Sequence, residues 1–297
     1  MKLQAEQLLT FAELVRRGSV GAAAAARHLT QPAASNQLRQ LQQAFGEALY
    51  RRAGRGVALT AAGEAFYVHA LAVEQALRAA EAFAEELQGG EAGLVRIAAS
   101  QTIAGSLLPA FLADFQSRHA GIEVHVDTSN SRQVVECIHT YDIGLVESPL
   151  PRDVPADFRA VPLGRDEVVL VMPRGHRLAS LDTVPLRLLA DEPLIWREPG
   201  SGTGEVVEQA FRQAGMTPNR RLALGGVAAV LEAVRQGLGL GFASRLTLRR
   251  EDAMLISRPF APSLLRPFTM LLPVQPTVAA RIFAEDLRAN LVPLLLA

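Results

Sequence analysis

From Thr60 to about Gln88 the chain carries no proline and a single glycine, Gly63, close to the start of the stretch. Its apolar residues fall at Phe66, Ala70, Val73, Leu77, Ala80, Ala84 and Leu87, alternating steps of four and three, which is the spacing of a coiled-coil seam. A helix this long separates the N-terminal segment from the rest of the chain. The small residues at 70, 80 and 84 let two such helices approach closely, which suits an antiparallel pairing; the alternative is one amphipathic helix packed on its own domain. The expectation is a linker, residues 61–90, through which two copies associate over residues 60–88. Gly89, Gly90 and Gly93 then read as a hinge.

Ahead of this linker, residues 1–60 read as short helices. Leu8, Leu9, Phe11, Ala12, Leu14 and Val15 recur at helical spacing and Gly18 ends the run. Ser19 can cap a second helix, GAAAAARHL, and Thr30 a third, with Gln31 and Pro32 in its first turn. Two helices around a tight turn make a helix-turn-helix, whose second helix enters the major groove; a generic three-helix bundle is the bland alternative. The outward face of the third helix offers Ser35, Asn36, Gln37, Arg39 and Gln40. The stretch YRRAGRGVALTAAGE then has the form of a two-stranded wing, with Arg51, Arg52 and the tip residue Arg55 suited to the phosphate backbone or the minor groove.

Net charge hides this head. The whole chain sums to zero. Residues 1–60 carry eight basic residues against three acids, about +5, and residues 61–90 five acids against Arg78, about −4.

From Leu94 onward short apolar strands (LVRIAAS, IEVHVDTS, YDIGLVES, DEVVLVMP, LIWRE, RLALGG, LGLGFAS, FTMLLPV) alternate with helices such as LLPAFLADFQSRH and GEVVEQAFRQAG, an α/β pattern of two lobes. We place lobe I at about 91–163 and 267–297, and lobe II at about 164–266. Ligands of such sheets bind beyond the carboxyl ends of the strands. Three of those ends are alike: Ser100, Gln101 and Thr102; Thr128, Ser129 and Asn130; and Gly200, Ser201, Gly202 and Thr203. Each sets hydroxyl or amide groups at a helix start, where free N–H donors and the positive end of the helix dipole favour an anion. Each alone is an ordinary N-cap; together they suggest an anion site. Glu147, near the same cleft, repels an anion unless it is paired, for example with Arg197.

Other chemistries lack their residues. Lys2 is the only lysine, so neither a Walker loop nor a Schiff-base centre can be built. GLGLG at 237–241 has Phe242 where a dinucleotide fingerprint needs its third glycine, so a close strand-helix turn is the better reading. The six histidines form no metal motif, and no GxSxG elbow occurs. No catalytic residue, metal or cofactor is expected. Cys137 is a lone cysteine, read as a small buried hydrophobe. The first residues lack the pattern of a signal peptide, and no apolar run is long enough to span a bilayer, so the expected location is the cytoplasm, away from membranes.

The stretch GSVGAAAAARHLTQPAASNQLRQLQQAFGEALYRRAGRGVALTAAGE resembles the winged helix-turn-helix of the LysR-type transcriptional regulators, and SQTIAGSLLP, DIGLVES, REPGSGT and AVRQGLGLGFASRL extend the resemblance over essentially the whole chain. They are most similar to the branch holding regulators of sulfur assimilation and carbon fixation. The resemblance implies a C-terminal part like a periplasmic binding protein, whose lobes hold a small effector, an inorganic sulfur anion or another small anion. It implies effector contacts from Ser100, Gln101, Thr102, Asn130, Ser201 and Thr203, and DNA contacts from Thr30, Gln31, Pro32, Ser35, Asn36, Arg39, Arg51, Arg52 and Arg55. The partners it implies are double-stranded operator DNA, a second copy, further assembly into a tetramer, and RNA polymerase. Four positions depart from the family pattern: Asn36 stands where a basic residue is usual, Gln42 where glutamate is common, Gly204 in place of an arginine, and Gly226 in place of serine or threonine. A solute-binding protein without DNA binding, and an architectural DNA binder without an effector, are the competing readings.

Overall fold

Capping side chains set the N-terminal elements of the computed structural model, which describes residues 3–53, 56–87, 93–150, 154–248 and 252–296. Helix α1, Ala5–Arg17, stops where Gly18 takes φ 73°, a left-handed turn that glycine enters without steric cost. Ser19 accepts from the Ala22 N–H and opens α2, Val20–Ala26. The sequence pattern carries α2 through Leu29; instead the chain leaves the helix at Arg27, with His28 at φ 52° and the Leu29 N–H returning to the Ala24 carbonyl. Thr30 accepts from Ala33 N and opens α3, Gln31–Phe45.

Strands β1, Tyr50–Ala53, and β2, Gly56–Leu59, pair antiparallel as the wing. Helix α4, Ala61–Leu87, comes next. Gly63 lets its first turn lie on the backbone of Leu49, whose carbonyl oxygen would stand 1.8 Å from any Cβ at 63. Phe11, Leu14, Leu38, Leu41, Leu49 and Phe66 are the centre of this unit's core.

That core corrects the seam. Phe66 and Ala70 are buried in it and Val73 packs against it, so the first turns of α4 are spent on their own domain. Leu77, 39% exposed, with Ala80 and Ala84, stays on the surface. The second correction concerns the hinge: Gly93 opens a strand, while Gly89 and Gly90 lie outside the described residues.

The chain divides into two units, Met1–Gln88 and Gly89–Ala297. In the second, β3 (Gly93–Ser100), α5 (Leu108–Arg118), β4 (Ile122–Ser129), α6 (Ser131–Glu136) and β5 (Ile143–Val146) alternate as expected. A long strand β6, Phe158–Pro173, leads through the short β7 (Val184–Pro185) to β8 (Leu194–Arg197), α7 (Gly202–Gln213), β9 (Arg220–Leu224), α8 (Val227–Arg235) and β10 (Gly241–Ser244). The chain returns along β11, Leu255–Pro273, and ends in α9, Val278–Leu296. The main sheet has the order β10-β6-β11-β5-β3-β4, with β3 parallel to β4 and β5.

Strands β6 and β11 pair antiparallel from Phe158↔Pro273 to Pro173↔Leu255 and so run through both lobes. One end of the pair lies in a core of Val95, Ile97, Phe115, Phe268, Met270 and Phe283, the other in a core of Val168, Leu170, Trp196, Phe211, Phe242 and Phe260. Where they pass from one to the other, Asp166 and Arg266 are register partners.

Candidate functional site

Helix α3 buries Ala34, Leu38 and Leu41 and leaves Gln31, Pro32, Ser35, Asn36 and Arg39 exposed. Not all of the expected outward face is free. Gln37 accepts from the Thr10 hydroxyl at 2.5 Å and Gln40 from the Gln7 amide at 3.1 Å, which ties α3 to α1. Thr30 serves as a cap. Arg39 donates to the Asn36 side-chain carbonyl at 2.6 Å, one turn back. Gln42, the second departure, accepts the Leu49 N–H at 3.0 Å, a bond that a glutamate would form equally well.

The basic residues of this head sort by partner. Arg16 is held by Glu13 and Glu74, Arg17 by Glu13 and Arg27 by Glu6. Arg39, Arg51 and Arg52 are exposed and meet no acid among the described residues. Unpaired cations are therefore found on α3 and on the wing, where a polyanion would be met. Arg55 lies outside the described residues.

In the second unit the lobes meet around Arg266. Its guanidinium is buried and makes five polar contacts, as many as it has N–H groups. Nε and Nη2 each reach Asp166 Oδ2 at 2.7 Å, Nη2 also reaches the Thr102 hydroxyl at 3.1 Å, and Nη1 reaches the Thr203 hydroxyl at 2.8 Å and Glu147 Oε1 at 3.2 Å. Asp166 is further held by the Ser244 hydroxyl at 2.7 Å. One arginine thus joins the strand end of lobe I to the helix start of lobe II. Sequence reading missed it, although a lone arginine in the apolar run SLLRPFTMLLP is a signal, because such a residue is buried only with partners.

The expected partner of Glu147 is also corrected. Glu147 pairs with Arg266, and Arg197 forms a two-bond pair with its chain neighbour Glu198 at 2.8 and 2.9 Å. Adjacent residues on an extended strand point to opposite faces, but Glu198 lies past the end of β8 and its long side chain turns back. Partial burial opposes ionisation of Glu198, yet Arg197 and the Gly226 N–H outweigh it and hold the carboxyl below its usual range.

Of the remaining expected residues, Gln101 accepts from Val227 N at 3.0 Å across the cleft, and Asn130 caps α6 and donates to the Pro199 carbonyl. Gly226, at φ 91°, and Val227 thus have their N–H groups taken by Glu198 and Gln101. Ser201 caps α7, and Gly202 lies so close to lobe I that a Cβ would stand 2.2 Å from the Glu147 carbonyl oxygen. Gly200, at φ 86°, has Asn130 and Arg132 against it. Ser100 is buried and pairs in register with Ser129, whereas Thr128 is exposed on the edge strand. A cavity of 280 Å³ lies beside the cleft between Trp196, Arg197, Gly204 and Arg220. Among the described residues no cluster of ligating side chains could hold a metal ion, and no helix is long and apolar enough to cross a membrane.

Residues 5–64 match the family of bacterial regulatory helix-turn-helix proteins of the lysR type, and residues 88–291 match the LysR substrate binding domain. The RuBisCO operon transcriptional regulator of Allochromatium vinosum is 35% identical over 84% of this chain and 82% of its own length. The transcriptional activator CmpR of Synechocystis is 31% identical over 82% and 80%. Among solved structures, the regulatory domain of Synechocystis CcmR in complex with 2-PG superposes with a TM-score of 0.62 at 28% identity, over 67% of this chain and 97% of that one. A full-length OxyR variant from Pseudomonas aeruginosa gives 0.76 at 20% identity over 98% of both, a likeness of fold. With a winged head, two lobes joined at Arg266, and both matches in register with those parts, this chain belongs to the LysR family of transcriptional regulators, as a DNA-binding protein with a substrate-binding domain.

Proposed function

We propose that this regulator responds to a small anionic metabolite held between lobes I and II, and that occupancy of the cleft alters how the paired heads bind an operator. The observation that carries the reading is the meeting of Thr102 and Thr203 on Arg266. Both hydroxyls accept from the guanidinium, so each keeps its own O–H to donate. Ser100, Gln101, Asn130, Ser201 and Arg197 surround them as the polar wall, with Gly200 and Gly202 allowing close approach; Thr128 and Ser129 lie further along the edge strand. CcmR, with 2-PG in its regulatory domain, supports a small metabolite as the ligand class. Coupling to DNA requires that the ligand bind one arrangement of the lobes more tightly than another.

On the DNA side, Gln31, Ser35 and Asn36 read base edges, while Arg39, Arg51, Arg52 and Arg55 hold phosphate, with Thr30 and Pro32 setting the helix start. Two copies associate through the outer half of α4, where Leu77, Ala80 and Ala84 are exposed, and dimers assemble further into tetramers in the cytoplasm. A retarded band on the promoter beside the regulator's own gene at low salt is expected; its absence with folded, oligomeric protein contradicts the reading. Thr102→Val is expected to abolish the thermal shift given by the effector, and retention of the full shift moves the site elsewhere.

A further inference from the structure

On the outer face of α3 a neutral side chain holds a charged one. Resting on the reading of Arg39 as a phosphate contact, we infer that Asn36 is a positioning residue for DNA binding. Its side-chain carbonyl fixes the Arg39 guanidinium, so that an uncharged residue governs how the charge one turn on meets the operator.

The observation is the bond from Arg39 Nη2 to Asn36 Oδ1 at 2.6 Å. The two residues are three apart on one helix, a spacing that sets side chains beside each other, and both are exposed. A free arginine on a surface has many rotamers, and ordering it on a phosphate costs binding free energy; one already held loses less. The partner at 36 is an amide, and that choice matters. Arg16, Arg17 and Arg27 are held by glutamates, which cancel their charge, whereas Asn36 orders Arg39 and leaves its charge whole. A basic residue at 36 would do the reverse, setting a like charge one turn away. Of the five guanidinium N–H groups the bond uses one, so the others stay available to phosphate oxygens, and the Asn36 amide nitrogen stays open to a base edge. The base beneath the pair is fixed as well. Gln37 and Gln40, each one residue past a member of the pair, tie α3 to Thr10 and Gln7 of α1.

Because Asn36 carries no charge, salt dependence separates its two possible roles. The slope of log affinity against log salt counts neutralised phosphates, so a residue that only reads a base edge leaves it unchanged. One that sets an arginine on phosphate lowers it. Full-length wild-type protein, Asn36→Ala, Arg39→Ala and the double variant are titrated against the promoter fragment by anisotropy over a series of salt concentrations. Both single variants put alanine, the best helix former, at exposed helical positions, so the fold is kept. Arg39→Ala is expected to lower the slope by about one per protomer, and Asn36→Ala by part of that amount. At low salt Asn36→Ala is expected to weaken binding by the wild-type protein about threefold more than it weakens binding by Arg39→Ala, as for residues joined by a hydrogen bond. A wild-type slope for Asn36→Ala beside a lowered one for Arg39→Ala overturns the inference, as do equal losses in the two backgrounds; either outcome leaves Asn36 as an independent base contact. A wild-type slope for Arg39→Ala strikes the reading of Arg39 itself, and the inference with it.

Discussion

Arg39 stands on the outer face of α3 with a hydrogen bond to Asn36 of its own helix, whereas Arg266 is buried with three hydrogen bonds, to Asp166, Thr203 and Thr102, and ion-pair contacts to Glu147 and Asp166. The same side chain serves two ends of the molecule in opposite ways. An exposed, unpaired guanidinium contributes little to the fold and leaves its charge for a partner outside it. A buried, paired one is part of the fold, and its removal strands Glu147 and Asp166 without their counter-ion. The DNA head leaves Arg39, Arg51 and Arg52 outward, while Glu6, Glu13 and Glu74 are paired with Arg27, Arg16 and Arg17. The substrate-binding domain gathers charges at the crossing of two long strands.

Substitutions break this comparison in order of expected effect. Arg266→Ala is expected to destabilise the protein by about 3–5 kcal/mol, since it leaves two buried carboxyl groups unpaired; urea unfolding followed by circular dichroism measures it, and a loss below about 1 kcal/mol would mean that the cluster is solvated. Gln31→Ala is expected to cost about 1–3 kcal/mol on the cognate operator and little on unrelated DNA; equal losses on both in anisotropy titrations would remove its base-reading role. Thr30→Ala removes the cap of α3 and is expected to cost about 1 kcal/mol of stability, seen as a lower urea midpoint. The smallest effect is at Cys137, whose thiol burial pushes up to about 11. It should alkylate slowly at neutral pH and faster as pH rises toward that value, because the thiolate is the reacting form. Cys137 is half-buried rather than the fully buried residue expected from the sequence, and rapid labelling at pH 7 of the folded protein would contradict even that partial burial.

The same contrast explains which features are legible in the sequence. In the head, contacts are local: Ser19, Thr30 and Gly18 declare helix ends within four residues, so the helices and the wing are readable. Residues held from afar are not. Gln37 and Gln40 look like an outer face but meet Thr10 and Gln7 of α1, and Phe66 and Ala70 fit a dimer seam but fill their own core. The long strands β6 and β11 show only their apolar halves, because Pro162, Pro259, Pro262 and Pro267 interrupt the pattern and a register shift lies between Pro259 and Leu264. Their crossing hides Asp166 and Arg266, one hundred residues apart in sequence and paired only by the sheet. Thr102 and Thr203 are legible as helix starts, but not the arginine on which they meet.

The central division, outward cations for DNA and inward ones for the cleft, is tested most directly by the salt dependence of binding to the promoter fragment. Alanine at Arg39, Arg51 or Arg52 is expected to lower the slope of log affinity against log salt by about one per protomer, while Thr102→Val leaves it unchanged. Wild-type slopes in all three arginine variants, or a reduced slope in Thr102→Val, would contradict the account.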